Sequence, residues 1–175
     1  MTRRAQIQVM TPSQTLTIAA GMPVPDGLSR RGARSSTAPS RHDASAAQHL
    51  TMANAYRRSG GLVSGTEATL LLRRHSTQPL SLLARWIVTR RVVSYTWQSE
   101  TLVPLFQFER NDMTVRRDTS QVVDELAGAF DDWELAAWFA QPNSWLQGAA
   151  PVELIDVDQP AVLQAARADR FIARG

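Results

Sequence analysis

The side chains that most often carry out catalysis or bind metal ions are sparse in this 175-residue sequence. The three histidines, His42, His49 and His75, have no partner at the spacing of a metal site or a catalytic triad. The chain has no cysteine, which excludes disulfides, thiolate metal ligands and a cysteine nucleophile. Acidic residues are numerous, but no pair stands in the apolar context typical of an acid–base couple. The sequence therefore predicts no catalytic residue, no metal ion and no cofactor, and it favours a function based on binding.

Signals for nucleotide binding, membrane insertion and secretion are missing from the sequence as well. The glycine-rich run SGGLVSG, residues 59–65, is not followed by the Gly-Lys-Ser/Thr of a phosphate-binding loop. No run of about 18 apolar residues occurs, so we predict no membrane-spanning helix. Polar side chains interrupt the apolar core that a signal peptide would need within the first 25 residues. We therefore expect a cytoplasmic protein.

The charges of the chain are divided unevenly along its length. All 19 basic residues are arginine, and the formal net charge is +3. Residues 1–60 hold 8 arginines against 2 acidic residues, residues 61–110 hold 6 against 3, and residues 111–175 hold 5 against 11. A basic first part and an acidic last part indicate different partners for the two ends.

Residues 1–58 have the composition of a disordered basic arm. The run over residues 27–50 is rich in Ser, Ala, Arg and Gly without a sustained apolar period, so it buries too little surface to offset its ordering entropy. Within the arm, residues 44–56 are compatible with a short helix. Two interpretations stay open, a dispensable tail or a basic arm that adds non-specific attraction to phosphates.

Residues 59–110 are predicted to form two helices followed by a β-hairpin. Ser64 or Thr66 can cap the first helix, and the second begins near Pro79 after a polar break. The β-rich run over residues 92–103 follows, with a polar turn in its middle. The segment therefore predicts a compact helix–turn–helix–hairpin unit.

This order of elements, with the ending PLFQF at residues 104–108, resembles the winged helix-turn-helix module of excisionase-like DNA-binding domains over residues 60–108. The resemblance implies DNA binding through the second helix. We expect its solvent face to offer Arg85, Arg90 and Arg91, which suit phosphates better than base edges. An alternative is a degenerate winged-helix shape that no longer reads a DNA sequence.

Residues 111–175 are predicted to be helical, and they concentrate three of the five tryptophans within thirteen residues. Trp133 and Trp138 fall in one predicted helix that ends before Pro142, and we expect both to be mainly structural. Trp145 follows in a short helical turn. We expect it to be the most exposed of the three.

The run WELAAWFAQPNSWLQGAAPVEL, residues 133–154, is similar to the toxin-binding domain of the Xre/MbcA/ParS-like antitoxins. Members of that family bind RES-domain toxins, which degrade NAD, and cover the entrance to the toxin's active site. Many also repress their own operon through a preceding helix-turn-helix, usually as dimers. The resemblance implies a toxin-binding surface that includes Trp145, Asn143, Leu146 and Glu153. Local chemistry alone explains Asn143 as a helix cap and the tryptophans as core residues.

Together these features predict a mainly α fold. It consists of a disordered basic arm (residues 1–58), a winged helix-turn-helix-like module with a small β-hairpin (residues 59–110) and a toxin-binding bundle of short helices (residues 111–175). The predicted function is that of a type II antitoxin-like, non-enzymatic homodimer that neutralises a RES-domain toxin and binds its own operator DNA. The alternative is a stand-alone DNA-binding transcriptional regulator whose C-terminal bundle serves dimerisation.

Overall fold

Helices and one small antiparallel sheet make up residues 41–175, the part of the chain that the computed structural model describes. The three strands are β1 (Leu62–Ser64), β2 (Tyr95–Trp97) and β3 (Glu100–Pro104). The helices are α1 (Arg41–Tyr56), α2 (Gly65–Leu72), α3 (Pro79–Val88), α4 (Arg117–Leu126), α5 (Asp132–Ala140), α6 (Pro151–Leu154) and α7 (Gln159–Arg174). Short 3-10 turns cover Arg57–Ser59, Leu105–Gln107 and Ser144–Leu146. The prediction of a mainly α fold with a small β element is confirmed, and no helix in the described part is long and apolar enough to cross a membrane.

The sheet places its strands in the order β1, β3, β2, and both pairs are antiparallel. Strands β2 and β3 form the predicted hairpin, in which Thr96 pairs with Thr101. The turn residues Gln98 and Ser99 have left-handed backbones, with φ of 48° and 68°, as a two-residue hairpin turn of type I′ requires. Strand β1 was not predicted, because a strand of three residues is too short to show an alternating pattern.

Residues 41–56 form helix α1, so this part of the predicted arm is ordered, and the short helix considered for residues 44–56 is confirmed. Met52 and Tyr56 are fully buried, and the Tyr56 hydroxyl donates a 2.6 Å hydrogen bond to the Ala136 carbonyl oxygen of α5. Contacts with residues distant in sequence supply the burial that the local composition does not suggest. The prediction for residues 1–40 lies outside the described residues.

Local sequence signals decide where several helices begin. Ser64, one of the two predicted candidates, caps α2, and Asp131 caps α5. Each is followed three residues later by a glutamate that closes a capping box. Helix α3 starts at Pro79, as predicted.

Two clusters of buried apolar side chains stabilise the described residues. The smaller cluster combines α2, α3 and β3, with Leu72, Leu83 and Val103 at its centre. The larger cluster combines α1, β2 and helices α4–α7, and Phe139 is fully buried in it. This larger cluster contains residues from both sides of the predicted boundaries at residues 58 and 110. Those boundaries therefore do not separate independent cores.

A buried polar side chain, Gln107, lies where the two cores meet. Its Oε1 accepts the Val93 N–H at 2.6 Å, and its Nε2 donates to the carbonyl oxygens of Val93 and Pro104, both at 2.8 Å. Val93 belongs to the larger core, its neighbour Val92 to the smaller one, and both precede strand β2. The glutamine amide therefore satisfies a buried backbone segment that lies outside the sheet ladder.

We predict that Gln107→Met lowers the free energy of unfolding by about 2–3 kcal/mol, because the buried N–H and C=O groups of Val93 lose their partners. Methionine has a similar volume, so a cavity contributes little. Chemical unfolding of the full chain, followed by tryptophan fluorescence, measures the change. The control Gln164→Met, on the exposed side of α7, should change this free energy by less than about 0.5 kcal/mol. Equal effects of the two substitutions would contradict the prediction.

Candidate functional site

The turn between α5 and α6 carries the most exposed tryptophan of the chain. Helix α5 ends because the residue before Pro142 adopts an extended backbone. The Asn143 side-chain oxygen then accepts the Trp145 N–H at 2.8 Å and caps a 3-10 turn, as predicted for a helix cap. Gln147 and Gly148 close the turn with left-handed backbones, with φ of 57° and 85°. These local features place Trp145 in a tight, well-defined turn.

The carboxylate of Asp169, on α7, joins this turn to α5. Its Oδ2 accepts the Trp138 indole N–H and the Asn143 amide N–H, both at 2.7 Å, and its Oδ1 accepts the Trp145 indole N–H at 2.9 Å. Hydrogen bonds to an ionised carboxylate are stronger than those between neutral groups. One charge therefore orients both indoles. We refer to Trp138, Asn143, Trp145 and Asp169 as the Asp169 cluster.

Exposure separates the three tryptophans as predicted. Trp145 is 56% exposed, whereas Trp138 is only 9% exposed. Trp133 is half-buried, and its ring packs on Tyr95 and Trp97 of the hairpin at centroid distances of 5.2 and 5.8 Å. The prediction that Trp145 is the most exposed of the three is confirmed.

Two of the four residues predicted to bind a toxin are buried and act within the fold. Leu146 lies in the larger core. Asn143 is also buried, and both its side-chain oxygen and its side-chain nitrogen are engaged in the Asp169 cluster or the cap. Because the turn packs on α7, neither side chain is accessible to a partner in this structure. Of the four residues only Trp145 and Glu153 are exposed, and the predicted toxin contacts of Asn143 and Leu146 stay a prediction.

Glu153 lies on a different surface, an open groove of about 1020 Å³. Its carboxylate accepts the Ala150 N–H at 3.3 Å and so caps α6. In the same groove, Arg116 forms an ion pair with Asp156. Trp145 does not line this groove. The structure therefore does not bring Trp145 and Glu153 together in one cavity.

The end of α7 exposes further apolar surface near the Asp169 cluster. Ile172 and Phe171 are both largely exposed. Ile172 follows Asp169 by three residues, which places it on the same side of the helix. Exposed Ile172 therefore lies on the side of α7 that carries Asp169.

Arg90, one of the three arginines predicted to contact DNA, is turned inward. Its guanidinium donates to the carbonyl oxygens of Ala127 and Phe130, the latter at 2.6 Å, and its Nε lies 3.1 Å from an oxygen of Asp132. The two carbonyls follow the end of α4, where backbone acceptors have no partner within the helix. Arg90 therefore connects the end of α3 to the α4–α5 junction, and its predicted role in DNA binding stays a prediction.

The other two arginines, Arg85 and Arg91, are exposed. Neither forms an ion pair with a residue in the described part of the chain. Residues 68–99 contain five arginines and no acidic residue. Since Arg90 is engaged inside the fold, the remaining arginines of this run give the surface around α2 and α3 a positive charge.

His49 makes an aromatic contact. Its ring stacks on Trp97 with centroids 4.6 Å apart, and its Nδ1 lies 3.2 Å from the Tyr95 hydroxyl oxygen. Partial burial lowers the pKa of His49, because the charged ring loses hydration. Among the described residues, no three His, Asp or Glu side chains are grouped so that they could hold a metal ion.

Asp169 was not predicted as a site residue, although the pattern of α7 contains a signal for it. Val162, Ala165 and Ala166 are the buried residues of this helix. Asp169 follows Val162 by seven residues and Ala165 by four, so it continues the same face. An acidic residue in line with a buried stripe needs hydrogen-bond donors, and the indole and amide groups of the preceding motif are suitable donors.

We predict that Asp169→Asn lowers the free energy of unfolding by about 2–3 kcal/mol, because three N–H donors lose a charged acceptor. Asparagine also replaces one acceptor oxygen by a donor, so at least one of these N–H groups is left unpaired. Chemical unfolding of the full chain measures the loss. The control Asp124→Asn, at an exposed position of α4, should stay within about 0.5 kcal/mol of the wild type. An unchanged unfolding free energy for Asp169→Asn would show that the cluster does not stabilise the fold.

The chain was compared with known proteins in three ways. No protein-family model, no curated protein and no solved structure matches this chain. Functional proposals for this chain therefore depend on the geometry of its own residues and on the motif within residues 133–154.

Proposed function

We propose that this chain is a type II antitoxin-like protein that binds a RES-domain toxin through the surface around Trp145. The observation that carries the proposal is a tryptophan that is 56% exposed and yet held in one orientation by a hydrogen bond to a carboxylate. Such a ring loses little conformational entropy on binding, and tryptophan is among the residues that most often dominate protein–protein affinity. The resemblance of residues 133–154 to antitoxin toxin-binding domains supports the class of partner.

The charge of the C-terminal part supports the same partner. Residues 111–175 hold 11 acidic residues against 5 arginines. An enzyme that binds NAD must accommodate two phosphate groups, so basic side chains are expected near its entrance. An acidic surface with an exposed indole is complementary to such an entrance. Neutralisation then proceeds by steric occlusion, without chemistry by this chain.

The test begins with a search for a RES-domain reading frame beside this gene, and it uses the protein which that frame encodes. We predict that Trp145→Ala keeps most of the thermal stability, because Asp169 retains two of its three donors. The same variant should weaken toxin binding by about 2 kcal/mol or more and lose neutralisation in a co-expression growth assay. Isothermal titration with the full chain measures the affinity, and the growth assay measures neutralisation.

Trp138→Ala is the matched control, because it removes the neighbouring buried indole. Its loss of core packing should cost about 3–5 kcal/mol of fold stability, so any loss of neutralisation would follow from unfolding. A folded Trp145→Ala variant that neutralises normally would remove Trp145 from the interface. Absence of an adjacent RES-domain gene, or of a complex with its product, would contradict the antitoxin function.

A second function, binding of duplex DNA, is favoured by the topology of residues 41–104. Helix α1, strand β1, helices α2 and α3 and the β2–β3 hairpin follow the order of a winged helix-turn-helix, with β1 against β3. In such a module α3 is the recognition helix and the turn at Gln98 and Ser99 is the wing. Exposed Arg85 and Arg91 can contact phosphates. Operator binding fits an antitoxin, and it also fits the alternative of a stand-alone regulator whose C-terminal bundle dimerises.

We predict that the double variant Arg85→Ala/Arg91→Ala binds duplex DNA more weakly. The slope of log K against log salt concentration should become shallower by about 2, the contribution of two phosphate contacts. The control Arg117→Ala/Arg167→Ala removes the same charge from exposed positions on α4 and α7. This control should retain the wild-type salt dependence. Fluorescence anisotropy with a labelled duplex at several salt concentrations measures the affinity and its salt dependence for the two double variants. Identical salt dependence in the two double variants would exclude this surface from phosphate binding.

A further inference from the structure

Helix α3 presents an apolar stripe to solvent on the surface that is proposed to bind DNA. Leu80 is 68% exposed and Val88 is 81% exposed, and Ala84 between them is also exposed. Their spacing of four residues places the three side chains along one side of the helix, and all three are exposed whereas Leu83 is buried. A solvated apolar stripe on a helix is unusual unless a partner covers it.

We propose that Leu80, Ala84 and Val88 contact the C5-methyl groups of thymine in the major groove, so that the preferred DNA is A·T-rich. The inference deepens the DNA binding proposed for the same surface and rests on it. An α-helix fits into the major groove, where thymine presents its methyl group.

The chemistry of the stripe selects thymine among the four bases. Thymine is the only one of them with an apolar group on its major-groove edge. Leu, Ala and Val side chains have no hydrogen-bonding groups, so against the other bases they would desolvate donors and acceptors without replacing their partners. Ser81 and Arg85 lie beside the stripe on the exposed side of α3, where they can reach phosphates.

Charge and size favour DNA over a protein as the occupant of this face. The run over residues 68–99 has five arginines and no acidic residue, which suits the polyanionic backbone of DNA. A second copy of the chain would bring arginines against arginines. A stable protein interface also buries about 800 Å² on each partner, which three side chains of this size do not supply.

The experiment compares duplexes that differ only by methyl groups in the major groove. The full chain is titrated into a 20-base-pair alternating A·T duplex and into the same duplex with deoxyuridine in place of thymidine. The reciprocal pair is an alternating G·C duplex with and without 5-methylcytosine. Each contacted methyl group should strengthen binding by about fourfold, so A·T should exceed A·U, and methylated G·C should exceed unmethylated G·C.

Protein variants assign the effect to α3. Leu80→Ser/Val88→Ser should lose most of the preference for A·T over A·U, since only Ala84 of the stripe remains, while its thermal stability stays near that of the wild type because both positions are exposed. The control Leu70→Ser, at an exposed leucine of α2, should keep the preference for thymine.

The possible results are distinguishable. Salt-sensitive binding with equal affinity for A·T and A·U would overturn the methyl contact and leave the proposed DNA binding intact. Undetectable binding of every duplex at low salt would overturn both the methyl contact and the proposed DNA binding. A thymine preference that is undiminished in the Leu80→Ser/Val88→Ser variant would overturn the assignment to α3.

Discussion

The arrangement of the described residues depends on how the buried backbone between α3 and β2 finds its hydrogen-bond partners. This segment passes between two cores and lies outside the strand pairs of the sheet. The Gln107 side chain bonds both the N–H and the carbonyl oxygen of Val93, because its amide offers an acceptor and a donor with the geometry of a peptide group. Without such a partner, burying these groups would cost several kcal/mol, so the sheet unit and the helices could not share one interior.

Polar side chains stabilise the other junctions in the same way. The Arg90 guanidinium binds carbonyl oxygens that follow the end of α4, and the Tyr56 hydroxyl binds a carbonyl oxygen of α5. The Asp169 carboxylate accepts three N–H groups around the turn that carries Trp145. Each of these side chains connects elements that are distant in sequence. The hydrophobic cores supply most of the free energy, while these bonds specify which helix ends and turns meet.

The same interactions prepare two surfaces of opposite character. The Asp169 cluster holds an indole at the surface of the acidic part of the chain, which suits a protein partner with a basic entrance. Helix α3, attached to the rest of the fold through Arg90, presents exposed arginines beside an apolar stripe, which suits DNA. Because the Arg90 side chain points into the fold, this face carries one positive charge fewer, and the guanidinium bonds to backbone carbonyl oxygens instead. An antitoxin that also binds its operator would use both surfaces, and their different charges keep the two partners apart.

Features that depend on neighbouring residues were readable from the sequence: the helical class, a cap at Ser64 or Thr66, the Asn143 cap, the hairpin, and the exposed turn at Trp145. Capping, turn formation and the effect of proline act over a few residues, so the sequence by itself determined them. The burial of α1, the inward direction of Arg90 and the shared core were decided only by tertiary structure. The hydrogen bonds of Tyr56 and Arg90 join residues 37 to 80 positions apart, and no local pattern encodes which distant group will be present. The hydrogen-bond donors around Asp169 were also decided by tertiary structure. A carboxylate on a helix face becomes the centre of a cluster only when folding brings indole and amide N–H groups against it.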